Sequence, residues 1–455
     1  MKLKEGRIPC FKAYDIRGRI PDELDAELAH SIGRAYSQVV APRRVVVGHD
    51  VRLSCPEIAG ALIEGLTRSG VDVVTIGMCG TEEVYFATAH LKLDGGIMVT
   101  ASHNPVDYNG MKFVREKAIP ISADSGLKEI EAAVIAGGFA DAPSPGKVQP
   151  AQIREAYIQH LLSYIDPDRL SPLKVVVNAG NGCAGPVIDL LERQLPLAFT
   201  KLHFEPDGNF PNGVPNPLLP ENRAATIEAV KAVGADLGVA WDGDFDRCFL
   251  FDASGGFIEG YYIVGLLAVQ LLKRHPGGKI IHDPRLVWNT LEMVEEEGGK
   301  PVQCKSGHAF IKERMRAEDA IYGGEMSAHH YFREFSYCDS GMVPWMLVAQ
   351  GMSESGKPLA ELVGERMRRF PASGEINRKV ADADLALQAV LDRYRGECRS
   401  LDETDGISLD FGAWRFNLRK SNTEPVVRLN VESRGDADLM RAKTAEVLAV
   451  LDAAS

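Results

Sequence analysis

Short runs of aliphatic and β-branched residues alternate with amphipathic stretches over the first three-quarters of the chain. The runs at 44–48, 71–76, 96–100, 173–177, 237–241 and 279–281 predict strands. Between them, 56–69, 126–136, 186–193 and 221–233 place apolar residues at helical spacing and predict helices. This alternation predicts parallel α/β units. Sheets of that kind hold their ligands beyond the carboxyl ends of the strands, so the loops that follow strands are where chemistry is expected. The last stretch reads differently: a strand at 414–419, a loop, a strand at 426–432 and a helix from about Asp436 predict a small α+β domain.

Punctuation divides the chain. The Gly-, Ala- and Pro-rich segment 137–150 reads as a linker, and further boundaries follow 251–256 and lie near 371–374. We therefore expect domains at 1–150, 151–255, 256–370 and 371–455.

Composition narrows the function. With 51 basic against 63 acidic residues, the formal net charge is −12, which is no footprint for a nucleic-acid backbone. A small anion remains compatible with a locally basic pocket. Met1–Arg7 has no apolar run after its charges, so no signal peptide is expected. The longest apolar stretch, 261–272, is broken by Gly265 and Gln270 and is short of the ~20 residues that cross a bilayer. The eight cysteines are scattered without a C-x-x-C pair, which predicts buried thiols in a cytoplasmic protein.

Four loops carry chemistry. Thr100-Ala101-Ser102-His103-Asn104-Pro105 directly follows an apolar run, where the Ser102 hydroxyl is expected to be exposed beside backbone N–H groups that can hold a phosphate. His103 and Lys112 stand near in sequence to move protons or offset charge, and an Asn-Pro turn with a locally bonded serine fits the same residues. Asp242-Gly243-Asp244-Phe245-Asp246-Arg247 sets three carboxylates at alternate positions after a strand, a donor set suited to a hard divalent cation such as Mg²⁺. Its spacing is not that of an EF-hand, since Arg247 and Ala253 occupy the sixth and twelfth positions. Gly324-Glu325-Met326-Ser327-Ala328-His329-His330 offers a carboxylate and a hydroxyl for vicinal sugar hydroxyls, followed by two histidines; a plain polar loop has the same composition. Arg419-Lys420-Ser421-Asn422-Thr423-Glu424-Pro425, with Arg428 beyond, is an inventory for gripping phosphate or for a charged surface hairpin. Together, a nucleophile, a cation, a polyol and a phosphate loop describe phosphoryl transfer on a sugar phosphate.

Three other patterns are set aside. Gly180-Asn181-Gly182-Cys183-Ala184-Gly185 matches G-x-G-x-x-G after a strand, but none of the four loops needs a nicotinamide, so it reads as a tight turn with close helix packing. The segment 351–357 imitates a P-loop, yet Pro358 stands where the metal-binding Ser or Thr belongs. No G-x-S-x-G is present for a serine hydrolase.

At this point the chain resembles the α-D-phosphohexomutases, and among them the bacterial phosphomannomutases. Phe11-Lys12-Ala13-Tyr14-Asp15-Ile16-Arg17-Gly18 and the four loops follow the family's order over nearly the whole length. The resemblance implies an α/β fold of four domains around a central cleft, three similar mixed-sheet α/β domains and a smaller C-terminal α+β domain. It implies a phosphorylated nucleophile at Ser102 and one Mg²⁺ per chain on Asp242, Asp244 and Asp246, completed by a phosphoserine oxygen of Ser102. Glu325 and Ser327 are similar to the family's sugar-hydroxyl pair, and Arg419, Ser421, Asn422 and Thr423 to its phosphate grip. Tyr14, Arg17, Lys112, Arg247, His308 and His329 fall where relatives line the cleft, with Arg285 and Arg428 near the expected sugar and phosphate contacts. His103, Lys112, Arg247 and His329 are then the catalytic groups around Ser102. Two departures bear on specificity: many relatives have Gly at Ala328, and some bifunctional ones have Lys at Arg285.

The implied reaction interconverts mannose 1-phosphate and mannose 6-phosphate through a hexose 1,6-bisphosphate, which is also the activator, in supply of GDP-mannose. A bifunctional enzyme working mainly on glucose phosphates is the alternative. The expected partners are small hexose phosphates, with no nucleic acid or membrane, in a monomer or weak dimer. Rival classes are an aspartyl-phosphate phosphatase with Asp242 as nucleophile, a nicotinamide enzyme, and a sugar-phosphate binder without turnover.

Overall fold

The structure is a computed structural model that describes residues 6–420 and 426–453. It divides into two compact units, Met1–Phe257 with Tyr331–Gly356, and Ile258–His330 with Lys357–Ser455.

Each predicted strand forms, with ends displaced by a residue or two: Arg44–His49, Asp72–Met78, Gly95–Val99, Lys174–Asn178, Leu237–Trp241 and Lys279–His282. The predicted helices appear as Cys55–Arg68, Lys128–Ala136, Gly185–Glu192 and Ala224–Val233. The second predicted helix starts late because Gly126 adopts φ +132°, outside the helical range. The fourth helix starts late because a 3₁₀ turn occupies Pro220–Asn222.

The sheets are mixed, where strand–helix alternation alone predicts parallel ones. In the first, Arg44–His49 pairs in parallel with Asp72–Met78 and Gly95–Val99, but Tyr108–Arg115 returns antiparallel beside Gly95–Val99 and carries Ile16–Arg19 on its other edge. In the second, Lys174–Asn178 lies parallel between Ala198–Leu202 and Leu237–Trp241, and Cys248–Asp252 returns antiparallel. In both, the loop between the central strand and its return strand is one of the four loops singled out above. The return strand reads as just another apolar run, so its direction is invisible to periodicity. In the second unit, Lys279–His282 pairs in parallel with Lys300–Gln303 and Tyr322–Gly324; in the first, Tyr331 and Phe332 pair antiparallel with Asp339 and Cys338.

The segment 137–150 is not wholly a linker. Val148–Pro150 pairs in parallel with the edge of the first sheet, Val73 opposite Val148. An outermost position suits Pro150, which has no N–H to offer a further strand.

The C-terminal part of the second unit is an antiparallel sheet in the order Ile376–Lys379, Val426–Ser433, Trp414–Lys420, Ile407–Asp410, Ser400–Asp402. Helices Ala383–Tyr394 and Ala437–Ala453 supply Ala386, Val390, Tyr394, Val447 and Leu451 to its core, beside Phe416, Leu418 and Val427. The apolar stretch at 261–272 lies inside helix Gly260–Arg274, and no helix of the described residues is long and apolar enough to cross a membrane. All eight cysteines are free thiols, seven of them buried.

Candidate active site

In the first unit the nucleophile loop and the carboxylate loop meet. Gly95–Val99 is buried along its length, and the chain leaves the sheet at Thr100. Ser102 then takes the left-handed region at φ +48°, a conformation that costs a non-glycine residue ~1–3 kcal/mol and persists only where surroundings hold it. Its hydroxyl is not exposed, contrary to the expectation from the sequence. Ser102 is 4% accessible because its Oγ donates to Asp242 Oδ2 at 2.8 Å, across to the second loop. The two loops touch through backbone as well: a Cβ on Gly243 would sit 2.8 Å from Ser102 O. Behind it, a Cβ on Gly182 would sit 2.6 Å from Gly243 O, and Cys183 N donates to that same carbonyl at 3.0 Å. The glycine run 180–185 thus packs under the carboxylate loop, in keeping with its reading as a tight turn.

The carboxylates are buried and converge. Oxygens of Asp242, Asp244 and Asp246 all lie within 4.8 Å of one another. Lys112, on the return strand, donates to Asp244 Oδ2 at 2.7 Å and Asp246 Oδ2 at 2.5 Å. Thr81 Oγ1 adds a bond to Asp244 Oδ2 at 2.5 Å, and Thr81 N donates to Asp244 O at 3.0 Å. Burial opposes ionisation of Asp244, but the Lys112 ammonium and the Arg17 guanidinium outweigh it and hold the carboxyl well below its usual range. Burial likewise opposes the charge on Lys112, and Asp244 and Asp246 outweigh it, so the ammonium stays protonated. Asp244 Oδ1 is buried with no hydrogen-bond partner among the described residues. Three converging carboxylates, an unmatched oxygen and a lysine already neutralising the cluster fit a hard divalent cation on Asp242, Asp244 and Asp246.

Arg247 and His103 complete the loop pair. Arg247 Nε donates to Asp242 Oδ2 at 2.9 Å and its Nη2 lies 2.7 Å from His103 Nδ1. A guanidinium only donates, so Nδ1 is the accepting nitrogen and the ring proton belongs on Nε2. Desolvation on the site-facing side and the charges of Arg247 and Arg17 hold the half-exposed His103 ring well below its usual range, so it is neutral near pH 7. Its Nδ1 is 3.0 Å from Ser102 Oγ. Arg17 bonds Asp15 Oδ2 at 2.9 Å and Thr100 O at 2.7 Å, bracing the strand end before Ser102. Tyr14 is half-buried in the turn that leads to this strand.

In the second unit a separate network gathers arginines. Arg285 forks onto Asp283, Nε to Oδ1 at 3.0 Å and Nη2 to Oδ2 at 2.8 Å. The same Nη2 reaches Ser327 Oγ at 3.2 Å and Glu325 Oε1 at 3.4 Å. Glu375 lies within ion-pair distance of three guanidiniums: Arg285 at 3.3 Å, Arg419 at 3.4 Å and Arg428 at 3.1 Å. Burial works against its charge, but Arg285 and Arg428 hold it below the usual carboxylate range. Asp283 Oδ2 and Glu325 Oε1 also accept from Met326 N and Gly307 N, both at 2.9 Å, fixing the polyol loop. That loop closes tightly, Glu325 N to His329 O at 2.9 Å, with Ala328 at φ +70°. Glycine takes this conformation without strain, whereas Ala328 does so at a cost. His308 opens helix His308–Glu318, and its ring centroid is 6.5 Å from that of His329. Ser421, Asn422 and Thr423 lie outside the described residues.

Sequence reading missed Arg52, Thr81 and Glu375, and gave Asp15 and Asp283 no role. Arg52 had a usable signal: Asp50-Val51-Arg52 follows a predicted strand as the chosen loops do. Beside Thr81, Glu82 is buried with four donors on it, Tyr157 Oη, Ser340 Oγ, Gly341 N and Met342 N. It holds the turn at 340–342 to which Trp241 Nε1 is bonded through Gly341 O at 2.9 Å.

Four consecutive family models cover the chain: phosphoglucomutase/phosphomannomutase domain I at residues 9–141, domain II at 155–255, domain III at 259–370 and the C-terminal domain at 375–449. The chain is 62% identical to a protein of Xanthomonas campestris pv. campestris named "Phosphohexose mutases", over 97% of this chain and 98% of that one. It is 58% identical to a phosphomannomutase of Escherichia coli K12, over 98% and 99%. A solved phosphoglucomutase/phosphomannomutase family protein from Burkholderia thailandensis superposes with a TM-score of 0.87 at 34% identity, over 98% of this chain and 97% of the other. With its loops, its mixed sheets and these relatives in agreement, the chain belongs to the α-D-phosphohexomutase family and is a phosphohexomutase, an isomerase.

Proposed function

We propose that the chain interconverts mannose 1-phosphate and mannose 6-phosphate by way of a phosphoserine at Ser102 and a hexose 1,6-bisphosphate. The observation that carries this reading is Ser102 itself, held in a strained turn with its Oγ against Asp242, at the rim of a charge-compensated carboxylate cluster. Phosphoryl transfer is chiefly positioning and charge stabilisation. In the first half-reaction the P–O bond to Ser102 breaks as a bond forms to the free O1 or O6 of the hexose phosphate. The hexose hydroxyl gives up its proton to His103 or His329, while Lys112, already protonated, offsets charge beside Asp244 and Asp246, and the Ser102 oxygen regains a proton. The second half-reaction reverses this from the other end of the bisphosphate, which has turned over. Arg247 stabilises charge on the transferring group, and Mg²⁺ held by Asp242, Asp244, Asp246 and the phosphoserine would supply the remaining positive charge.

Glu325 and Ser327 would bind sugar hydroxyls, while Arg285, Arg419, Arg428 and the 421–423 segment would take the phosphate that is not reacting. Tyr14, Arg17 and His308 would line the substrate site. Glucose phosphates share the hydroxyls that a Glu–Ser pair reads, so activity on both epimers belongs to the same proposal. The domains at 1–150, 151–255, 256–370 and 371–455 would each carry one loop. A cytoplasmic monomer or weak dimer feeding nucleotide-sugar synthesis is the setting we propose.

Phosphorus NMR of mannose 1-phosphate with the enzyme, Mg²⁺ and a trace of hexose 1,6-bisphosphate tests the reading. The expected result is conversion to the 6-phosphate by wild type and hardly any by Ser102→Ala. Release of free phosphate that survives Ser102→Ala and is lost in Asp242→Ala would instead establish the aspartyl-phosphate reading.

A further inference from the structure

The Ser102 turn is held from behind by a residue with no assigned part in phosphoryl transfer. Arg52 follows strand Arg44–His49, and its side chain is 1% accessible. The edge of the guanidinium reaches four carbonyls of the nucleophile loop. Nη2 donates to Ser102 O at 2.9 Å and Asn104 O at 2.6 Å; Nη1 donates to Pro105 O at 2.7 Å and Tyr108 O at 3.0 Å. The Phe210 ring lies 5.4 Å from the guanidinium carbon.

The anchor of this arginine is tied to the same loop. Asp50 Oδ1 accepts from Arg52 N at 2.9 Å, and Asp50 Oδ2 accepts from Thr100 Oγ1 at 2.7 Å. Thr100 Oγ1 in turn accepts from Ser102 N at 2.8 Å. Both the N–H and the C=O of Ser102 are therefore fixed by the Asp50–Arg52 segment, one through Thr100 and one directly. This is the over-determination that a left-handed serine requires. A planar fork with donors on two nitrogens can span four carbonyls, whereas a lysine ammonium presents its donors from one atom and cannot. A full positive charge spent on carbonyls is unusual unless those hydrogen bonds matter, since burial works against the charge on Arg52.

We infer that Arg52 is a positioning residue: it holds the 102–108 loop so that Ser102 Oγ faces Asp242 and Arg247, and it acts on catalysis only through that loop. The inference rests on the phosphoserine reading for its effect on turnover, but not for its effect on the loop. The test compares wild type, Ser102→Ala, Arg52→Lys and Arg52→Ala by two measurements: steady-state kinetics with mannose 1-phosphate, and hydrogen exchange of the backbone read by mass spectrometry.

In Arg52→Lys, kcat should fall by roughly 100-fold, the scale set by a misplacement of about 1 Å, while KM stays within about threefold. Exchange should accelerate in peptides covering 101–108 and remain unchanged in the sheet strands. Millimolar guanidinium should restore part of the kcat of Arg52→Ala and none of that of Ser102→Ala. Unchanged kcat together with unchanged exchange in Arg52→Lys would overturn the inference, as would a rise in KM alone. Failure of both Arg52 variants to fold would also overturn it, since the residue would then serve stability. If wild type proves inactive on hexose phosphates while the loop loosens in Arg52→Lys, the phosphoserine reading fails and the positioning role stands.

Discussion

Lys112 is the point at which the charge compensation of the candidate active site can be measured. Its side chain is 6% accessible, and the ammonium lies between Asp244 and Asp246. Replacing it by Met keeps the length of the side chain and removes the charge, leaving three converging buried carboxylates to Arg247, Arg17 and the Thr81 hydroxyl. Removing one partner of a buried ion pair costs about 3–5 kcal/mol, because the remaining charge is left desolvated. At about 2–4 °C per kcal/mol, the melting temperature of the first unit should fall by at least ~6 °C in chelator. A divalent cation should return much of this loss. A ligand at 100 times its Kd stabilises by about 2.7 kcal/mol, and in Lys112→Met the cation meets a cluster one positive charge poorer, so its affinity rises. The assay is thermal unfolding of wild type, Lys112→Met and Asp244→Asn over a Mg²⁺ titration. The expected order of Mg²⁺ stabilisation is Lys112→Met above wild type, with Asp244→Asn last. Equal stabilisation of wild type and Lys112→Met would refute the reasoning, because Lys112 would then not be acting as the counter-ion of the metal-binding carboxylates.

Two further outcomes follow from buried carboxylates. Glu375→Gln removes the anion shared by Arg285, Arg419 and Arg428; since Arg285 keeps Asp283, the loss should be about 2 kcal/mol, below the usual range for a broken buried pair. Because the folded carboxyl titrates below its unfolded value, this contribution is present above the unfolded pKa and disappears as pH falls through the folded one; added inorganic phosphate should stabilise Glu375→Gln more than wild type in thermal melts. Glu82 has the opposite sign: burial pushes its carboxyl up to about 8, so its contribution is full below the unfolded value and declines as pH rises toward that of the fold. The unfolding free energy of wild type, referred to Glu82→Gln, should therefore slope downward between about pH 4.5 and 8 by at most ~1.4 kcal/mol per pH unit and be flat above; no slope in that window would contradict the assignment.

The amino-acid sequence by itself located the predicted strands to within a residue or two at each end, because aliphatic runs such as Leu237–Trp241 are written in local periodicity. It also marked the loops after those strands as the chemical ones, since a serine, a D-G-D-F-D-R run or an arginine-rich turn placed there has few structural reasons to exist. What it left open was every property that depends on pairing across long separations. The return strands Tyr108–Arg115 and Cys248–Asp252 carry ordinary strand patterns, and only the sheet decides that they run antiparallel and bring Lys112 to Asp244, 132 residues away in sequence. Ser102 looked exposed because a turn at a strand end usually is; the partner that buries it, Asp242, comes from another sheet, 140 residues on. Thr81 and Glu375 are common residue types in unremarkable local settings, and the place of Arg52 after a strand did not say what it would touch. Tertiary structure alone made Arg52 a clamp on four carbonyls, Thr81 a brace on Asp244 and Glu375 a shared counter-ion, because a buried charge or donor takes its meaning from whichever groups the fold sets within ~3 Å of it.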